Sequence, residues 1–497
     1  MNWKKLQNGS DIRGVALEGV PGEPVNLTPE VARVLGNAFT TWLLQQGNTN
    51  VSVAVGTDSR NSGPELKQAF IEGLCEAGVK VFDCGMASTP AMFMTTVSAN
   101  TPVTAGVMIT ASHLPYNRNG FKFFTRSGGL DKKDITEILK IAEANDFSPA
   151  DVVFPVEVLP FIDSYAAGLV EYIRKQAAVQ SHFEQPLKGL KISVDAGNGA
   201  GGFFASKVLI PLGADTRGSQ FLDPDGHFPN HVPNPEDSQA MQSICDAVVR
   251  EKADLGIIFD TDVDRSAIVD ARGNPVNRNA LIALISAVVL TEHPGSTIVT
   301  DSITTEGLTA FIVNDLKGKH HRFQRGYKNV INEAVRLNSE GDECWLAIET
   351  SGHAALKENY FLDDGAYVVA KLLVEMARLH DRGGQLTDLI ASLKHPAESS
   401  EIRFSILADN ATDYGREVLA SLENQVQNVQ GWEVVSPNYE GLRVRCTAPE
   451  QQGWFLLRLS LHDPVMPLTI ESDVPGGVEA IQSKLIAMLK QFTNLKL

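Results

Sequence analysis

The sequence predicts an α/β protein with three similar α/β domains, each built on a mixed, largely parallel sheet, and a smaller C-terminal α+β domain. Three observations support this prediction: strands and helices alternate from the start of the chain, one strand-and-loop unit recurs three times, and the pattern changes near residue 396. A chain of 497 residues is long enough for several domains with separate cores.

The first α/β layer begins with a helix. Thr28 is the expected N-cap, Pro29 stands at the first helical position, and Gly47 ends a segment in which apolar residues recur at helical spacing. A β-branched strand at 51–55 follows, and a second helix and a second strand at 79–82 come next. This alternation is typical of a parallel sheet covered by helices.

A buried strand that leads into a polar loop recurs three times. Ligands of open α/β sheets lie beyond the carboxyl ends of the strands, so the three loops could converge on one cleft. Their spacing of about 90 to 150 residues suits one loop in each domain. The loops are residues 110–113, 260–265 and 349–353.

The chain changes character after residue 396. A strand at 402–406, a helix at 411–426, four further short strands and a final helix predict an antiparallel α+β module. The polar segment 394–400 is the expected linker into this module. The predicted domains are 1–155 with the serine loop, 156–277 with the acidic loop, 278–395 with the third loop, and 396–497.

The amino-acid composition argues against some classes of binding partner. The formal net charge is −17 and there is no basic block, which argues against nucleic acid. The longest apolar stretch, 280–290, is far shorter than the roughly 20 residues that span a bilayer, so no membrane association is expected. Five scattered cysteines without CxxC spacing favour neither a zinc site nor a disulfide framework, which fits a reducing cytoplasm. We expect the protein to be a monomer or a homodimer.

The acidic loop suggests a metal site. Asp260, Asp262 and Asp264 alternate along a loop that we expect to be extended, so their carboxylates could point to one side and bind a hard divalent cation. Without interleaved His or Cys, Mg²⁺ is preferred to zinc. An EF-hand is excluded because Arg265 and Ala271 stand where Gly and Glu are needed. A solvated acidic turn is the simpler alternative.

The same loop also permits a phosphatase interpretation. An apolar strand followed by Asp-x-Asp is the signature of the haloacid-dehalogenase phosphatases, which would make Asp260 the nucleophile and Asp262 its acid/base. The pair Asp363 and Asp364 could then supply the distal acids. Asp264 and Arg265 depart from that signature, and the other two loops would have no role.

Ser112 follows a strand, where a serine is most often a helix N-cap. Gly120 and Lys122 follow closely and would supply a flexible loop and a cation. A phosphorylated serine needs such a cation, and phosphoryl transfer needs a proton acceptor. The local sequence alone favours neither role for Ser112, helix N-cap or phosphoryl-carrying nucleophile.

Taken together, the three loops resemble the active-site loops of the α-D-phosphohexomutases, the phosphoglucomutase/phosphomannomutase superfamily. The resemblance rests on 110–115 with 119–122, on 260–265 and on 349–353, and it spans nearly the whole chain in order. It implies a heart-shaped, four-domain, Mg²⁺-dependent enzyme. Shorter matches lie at 12–14, 56–60, 89–90, 195–199, 224–229 and 364–365.

The resemblance also implies a mechanism. Ser112 would carry a phosphoryl group and bind Mg²⁺ together with Asp260, Asp262 and Asp264. It would donate that group to a hexose phosphate and recover the other phosphoryl from the bisphosphate, so that hexose 1-phosphate and hexose 6-phosphate interconvert. The resemblance places cations around the reacting phosphate, with Lys122 or His353 as the proton shuttle. These cations are Arg13, Lys122, Arg265 and His353.

The implied substrate contacts come from the third loop and the C-terminal domain. Glu349 and Ser351 would bind the O3 and O4 hydroxyls, which glucose and mannose share, so the preferred hexose cannot be deduced. The remaining implied contacts are Lys328, His353, Arg458, Ser460 and His462.

Three residues depart from the family pattern: Leu114, Leu461 and His462. The last two lie in the phosphate loop and resemble a divergent phosphoglucosamine-mutase-like branch. They leave a second hypothesis open, in which the chain is a non-catalytic sugar-phosphate binder. The intact nucleophile and metal loops favour the enzyme.

Overall fold

The computed structural model describes residues 2–100, 103–147, 150–179, 182–460 and 463–497. The chain forms two compact units. The first comprises Met1–Val288 and Ser351–Leu389, and the second comprises Val289–Thr350 and Ile390–Leu497.

The first sheet of the first unit is mixed. Its order is β1-β2-β6-β5-β3-β4-β8, with β7 paired to β6. Strand β3 is parallel to β4 and β5, whereas β6 is antiparallel to both β2 and β5. The elements are β1 (Gln7–Asn8), β2 (Asp11–Val15), α1 (Pro29–Gln45), β3 (Ser52–Thr57), α2 (Gly63–Glu76), β4 (Lys80–Met86), α3 (Thr89–Val97), β5 (Ala105–Ile109), β6 (Arg118–Thr125), β7 (Gly128–Gly129), α4 (Lys132–Ala144) and β8 (Glu157–Val158).

Local signals confirm the predicted start of this layer. The Thr28 side chain accepts a hydrogen bond from the Val31 backbone N–H, as an N-cap does, and Pro29 is the first residue of α1. Helices α1, α2 and α4 bury their apolar faces against the sheet, in a core that includes Phe39, Phe70 and Phe123. This core includes residues of β5 and β6, the strands that flank the serine loop.

The second sheet has the order β12-β11-β10-β9, in which β9 and β10 are parallel and the remaining pairs antiparallel. Strand β10 coincides with the predicted apolar run 255–259 and is buried along its whole length. The elements are α5 (Phe161–Ala177), β9 (Ile192–Asp195), α6 (Ser238–Glu251), β10 (Leu255–Phe259), β11 (Ser266–Asp270), β12 (Pro275–Val276) and α7 (Arg278–Glu292).

The next strands are divided between the two units. Strands β14, β13 and β15 lie side by side, all parallel, in the second unit. Strands β16 and β17 form an antiparallel pair in the first unit, followed by α10. The elements are β13 (Thr297–Asp301), α8 (Glu306–Ala310), β14 (Lys319–Phe323), α9 (Tyr327–Ser339), β15 (Cys344–Ile348), β16 (Ala354–Leu356), β17 (Leu362–Asp363) and α10 (Gly365–His380).

The C-terminal sheet is antiparallel, as predicted, with the order β19-β20-β21-β22-β18-β23. Helices α11 and α12 contribute apolar residues to its core. The elements are β18 (Glu398–Ile406), α11 (Ala411–Val426), β19 (Trp432–Val434), β20 (Leu442–Cys446), β21 (Gly453–Leu457), β22 (Val465–Ser472), α12 (Gly477–Leu489) and β23 (Leu495–Lys496).

The predicted linker 394–400 is wrong in its second half. Glu398 already pairs with Ser472, and β18 continues from there. Residues 398–403 alternate between half-buried and exposed positions, and such a polar strand lacks the apolar signal from which strands are predicted. None of the helices in the described part of the chain combines the length and apolar content that crossing a membrane requires.

Candidate active site

Ser112 lies in a tight turn directly after β5. Its φ is +51°, a left-handed conformation that is uncommon for a residue with a side chain. Residues 113–117 form turns that lead into β6, so the helix N-cap interpretation is wrong. The Ser112 side chain is almost fully buried. A strained, buried serine at a strand end is consistent with a functional role.

The acidic loop is a turn and not the extended segment that we predicted. The Val263 N–H bonds back to the Asp260 carbonyl at 3.3 Å, and Val263 has a φ of +69°. A positive φ is rare for a β-branched residue, so neighbouring segments must hold the turn in place. Thr89 does so with its backbone N–H on the Asp262 carbonyl (2.8 Å) and its hydroxyl on Asp262 Oδ2 (2.5 Å).

The turn gathers the three predicted carboxylates into one cluster. Oxygens of Asp260, Asp262 and Asp264 all lie within 4.8 Å of one another, and all three residues are buried. Asp262 Oδ1 and Asp264 Oδ1 accept no hydrogen bond from any described residue. Buried carboxylate oxygens without donors are expensive, and oxygen ligands of this kind suit a hard divalent cation.

Ser112 belongs to the same cluster. Its hydroxyl donates a hydrogen bond to Asp260 Oδ2 at 3.0 Å, although the two residues are 148 positions apart in the chain. A cation held by the three carboxylates could therefore also reach the serine oxygen.

Lys122 neutralises part of this negative charge. Its ammonium lies 2.8 Å from Asp262 Oδ2 and 2.5 Å from Asp264 Oδ2. The residue lies on β6 and not in a flexible loop, which corrects the sequence interpretation. Gly120 is not a hinge either, because a Cβ there would lie 2.2 Å from the Ile12 carbonyl oxygen. Gly120 instead allows β2 and β6 to approach closely.

Arg265 connects the serine to the acidic turn. Its Nη2 donates to Ser112 Oγ at 3.1 Å, and its Nε donates to Asp260 Oδ2 at 3.1 Å. Its Nη2 also lies 2.7 Å from Nδ1 of His113. Burial, together with the charge of Arg265, lowers the pKa of His113 to about 2, so this ring is neutral and accepts the guanidinium N–H.

His353 enters the cluster from the strand pair β16–β17. Its Nδ1 is hydrogen-bonded to Asp363 Oδ2, while Asp363 Oδ1 accepts the Ala354 N–H at 3.0 Å. Burial lowers the pKa of His353, but the carboxylates of Asp363 and Asp264 outweigh it and raise the value to about 9. His353 is therefore cationic at neutral pH.

The carboxylates have unequal proton affinities. Burial, reinforced by Asp264 and Asp262, raises the pKa of Asp260 well above its ordinary value. Burial also acts on Asp264, but Lys122 and His353 outweigh it and hold the pKa of Asp264 well below its ordinary value. Lys122 and His353 therefore favour the ionised form of Asp264.

Arg13 lies at the edge of the cluster. It is on β2, opposite Gly120, and its guanidinium donates to Asp11 Oδ2 at 2.9 Å. Its charge helps to lower the pKa of the neighbouring His113, after burial and Arg265. The structure therefore brings all five predicted cationic and nucleophilic residues of the first unit to one region.

The second unit contains the other half of the third loop. Glu349 Oε1 accepts the Gly326 N–H at 2.7 Å, and the Thr350 hydroxyl donates to Asp301 Oδ2 at 2.6 Å. Lys328 is the second residue of α9, close after Gly326. Ser351, in the first unit, is buried and its hydroxyl has no hydrogen-bond partner among the described residues.

Arg458 and Ser460 follow β21 in the second unit. Arg458 is 7% exposed, and its Nη1 lies 3.8 Å from Glu440 Oε1. Glu440 also accepts the Ser302 hydroxyl and the Arg325 N–H, so this carboxylate joins segments of two predicted domains. Leu461 and His462, on which the predicted change in phosphate binding depends, lie outside the described residues.

Sequence reasoning missed several residues that complete these contacts. Asp301, Arg325 and Glu440 do not belong to any sequence motif that indicates a site, and His113 enters the prediction only as the residue after Ser112. Asp301 ends the buried strand β13, and this position at a strand end is the signal that could have identified it; Glu440 lies before β20 without such a signal.

Comparisons with known proteins agree with this architecture. Three family models, described as Phosphoglucomutase/phosphomannomutase, alpha/beta/alpha domains I, II and III, match residues 4–149, 167–273 and 277–395. The chain is 32% identical to a phosphomannomutase/phosphoglucomutase of Pseudomonas syringae pv. tomato, over 97% of this chain and 94% of that protein.

Two further relatives extend over similar lengths. A phosphoglucomutase of Neisseria meningitidis is 29% identical, over 98% of this chain and 96% of that protein. The crystal structure of a phosphoglucomutase/phosphomannomutase family protein from Burkholderia thailandensis superposes with a TM-score of 0.79 at 28% identity, over 98% of each chain. The chain therefore belongs to the phosphoglucomutase/phosphomannomutase family, the α-D-phosphohexomutases, and is an isomerase of that type with three α/β/α domains and a β-rich C-terminal domain.

Proposed function

We propose that the chain interconverts hexose 1-phosphate and hexose 6-phosphate through a phosphoryl group carried on Ser112 Oγ. The observation that carries this proposal is the position of that oxygen, which lies within hydrogen-bond distance of both Asp260 and Arg265. A metal-binding carboxylate on one side and a guanidinium on the other are the groups that phosphoryl transfer requires.

Asp260, Asp262, Asp264 and Ser112 would hold Mg²⁺. The two carboxylate oxygens that accept no hydrogen bond from any described residue support a cation at this position. The donor set is all oxygen and contains no His or Cys, which favours Mg²⁺. When bound, Mg²⁺ would supply Lewis-acid stabilisation of the charge that develops on the serine oxygen as the phosphoryl group leaves.

The residues of this chain perform the remaining steps. The bond between phosphorus and Ser112 Oγ breaks as a sugar hydroxyl oxygen bonds to the same phosphorus, and the hydroxyl proton ends on Ser112 Oγ. Lys122 and His353 are the candidate relays for this proton, since both lie beside the carboxylate cluster. The bisphosphate intermediate then reorients, and its other phosphoryl group returns to Ser112. Arg265 and Arg13 would stabilise the phosphate charge throughout.

Substrate recognition would come from the other loops. Glu349 and Ser351 would bind sugar hydroxyls, while Lys328 and Arg458 would face the sugar and the phosphate that is not transferred. Ser460 and His462 would complete the phosphate grip. The names of the relatives, phosphoglucomutase and phosphomannomutase, support a glucose or mannose phosphate, and glucosamine phosphate is the third candidate.

The proposal is tested by intact mass and turnover. The active protein is expected to carry about 80 Da on Ser112, as a phosphoserine does, and this group should exchange with hexose phosphate. Ser112→Ala should lose both the added mass and turnover, whereas Ser127→Ala, in an exposed turn, should keep both.

Two results would reject the proposal. Full turnover by Ser112→Ala together with loss of activity in Asp260→Ala would support the phosphatase mechanism instead. A protein without exchangeable phosphate and without turnover on glucose, mannose or glucosamine phosphates would be a binder. Family membership favours neither alternative.

A further inference from the structure

Arg60 lies beneath the loop that carries Ser112. Its side chain is only 1% exposed, and the guanidinium faces backbone carbonyl oxygens of the loop instead of a solvent or substrate surface. It donates to four carbonyls: those of Ser112, Leu114 (2.6 Å), Pro115 (2.8 Å) and Arg118 (2.9 Å). The planar fork of an arginine can serve four acceptors at once, whereas a lysine ammonium has three hydrogens.

A second set of contacts fixes the other side of Ser112. The Thr110 hydroxyl donates to Asp58 Oδ2 at 2.6 Å and accepts the Ser112 N–H at 2.9 Å. Asp58 Oδ1 in turn accepts the Arg60 N–H at 2.9 Å. Arg60 therefore holds the carbonyl of Ser112 directly, and Asp58 holds its N–H through the Thr110 hydroxyl.

The segment also packs against the loop that contains Gly226 and Phe228, between β9 and α6. The ring of Phe228 lies 5.2 Å from the Arg60 guanidinium carbon, and a Cβ at Gly226 would lie 2.4 Å from the Asn61 nitrogen. This close packing leaves the Asp58–Arg60 segment little room to move. Because it cannot relax, the loop that it supports is held in one conformation.

We propose that Arg60 is the positioning residue of the nucleophile: through the four carbonyl oxygens it holds Ser112 Oγ at Asp260 and Arg265. This inference rests on the proposed function of Ser112. Arg60 itself does not contact the hydroxyl, and its effect passes through the backbone of residues 112–118. A displacement of about 1 Å at the reacting atom slows an enzyme by about 100-fold.

The test uses Arg60→Lys in the full-length protein, with two measurements. Phosphoryl transfer from the phosphorylated enzyme to hexose phosphate, followed in a single turnover, should slow by about 100-fold while KM stays within about threefold. Amide hydrogen exchange at residues 110–118 should accelerate as the carbonyl contacts are lost. The matched control is Arg443→Lys, another buried guanidinium that donates to backbone carbonyls but lies in the second unit.

Turnover and hydrogen exchange together distinguish a failure of the role of Arg60 from a failure of the proposed function. Absence of turnover in the wild-type protein would reject the proposed function, whereas hydrogen exchange would still decide the role of Arg60. Unchanged exchange in the loop, or a loss of rate matched by Arg443→Lys, would overturn the inference. If Arg60→Lys does not fold, Thr110→Val removes only the hydroxyl contacts, and it should slow transfer by about 10-fold with accelerated exchange at Ser112. Wild-type rate and exchange in Thr110→Val would equally overturn it.

Discussion

Glu471, in β22, should make the stability of the C-terminal domain depend on pH near neutrality. Its side chain is 8% exposed and accepts a hydrogen bond from Trp454 Nε1 at 2.9 Å. Burial raises the pKa of Glu471 to about 7, and Asp473 adds to this increase, while the Trp454 hydrogen bond and the charges of Arg443 and Arg322 oppose it. The folded domain therefore retains a proton that the unfolded chain releases.

Proton linkage gives the direction and the magnitude of this pH dependence of stability. The pKa in the folded protein lies above the value of 4.5 for an ordinary glutamate, so folding binds a proton between these two values. Stability from this group is full below pH 4.5 and falls as the pH rises towards 7. Between pH 5 and pH 8 the free energy of unfolding should decrease by about 2–3 kcal/mol.

The substitution Glu471→Gln isolates this contribution. Glutamine keeps the shape and an acceptor for Trp454 but does not titrate, so the variant should gain about 2–3 kcal/mol relative to wild type between pH 5 and pH 8. Urea unfolding, monitored by tryptophan fluorescence at four pH values, measures the difference. Glu417→Gln, at an exposed position of α11, should follow the wild-type profile. A constant difference between Glu471→Gln and wild type across this range would refute the reasoning.

Two further predictions concern the active site. Lys122→Met removes the ammonium from two buried carboxylates and should destabilise the metal-free protein by about 3–5 kcal/mol. Because the Lys122 ammonium competes with a cation for Asp262 and Asp264, its removal should strengthen Mg²⁺ binding, and one MgCl₂ concentration should stabilise the variant more than wild type. Thermal unfolding in EDTA and in MgCl₂ measures this difference; equal magnesium stabilisation in wild type and variant would contradict it. Asp363→Asn removes a carboxylate that raises the pKa of His353. The limb of the pH–rate profile that depends on His353 should therefore move to lower pH, and kcat should fall by about 100-fold. An unchanged profile would show that Asp363 has only a structural role.

The parts of the fold that the sequence predicts well are those with strong local signals. Strand β10 and helix α11 have the predicted bounds because a continuous apolar run and a clear helical period define them. Gly120 and Lys122 are expected in a flexible loop, whereas the structure places both in β6, where pairing with the distant β2 and with β5 defines the strand. The four domain boundaries stay a prediction.

The site was predictable where one motif carries several functional groups. The acidic turn and the serine loop each place their chemistry within six consecutive residues, so sequence alone indicates them. Arg60 and Glu440 gain their roles from partners that lie about 50 to more than 100 positions away, and no local pattern encodes such contacts.

The division of the chain into two units separates the residues of phosphoryl transfer from those of the C-terminal phosphate loop. Ser112, the acidic turn, Lys122 and Arg265 all belong to the first unit, and their contacts form one continuous buried cluster. Arg458 and Ser460, which precede Leu461 and His462 in the sequence, belong to the second unit. A chain under no selection for catalysis would lose the buried carboxylates early, because Lys122 and Arg265 balance only part of their charge and the remainder destabilises a fold that no longer binds metal. Their retention in a chain whose phosphate loop has changed therefore favours a change in the phosphorylated sugar that is recognised over a loss of phosphoryl transfer.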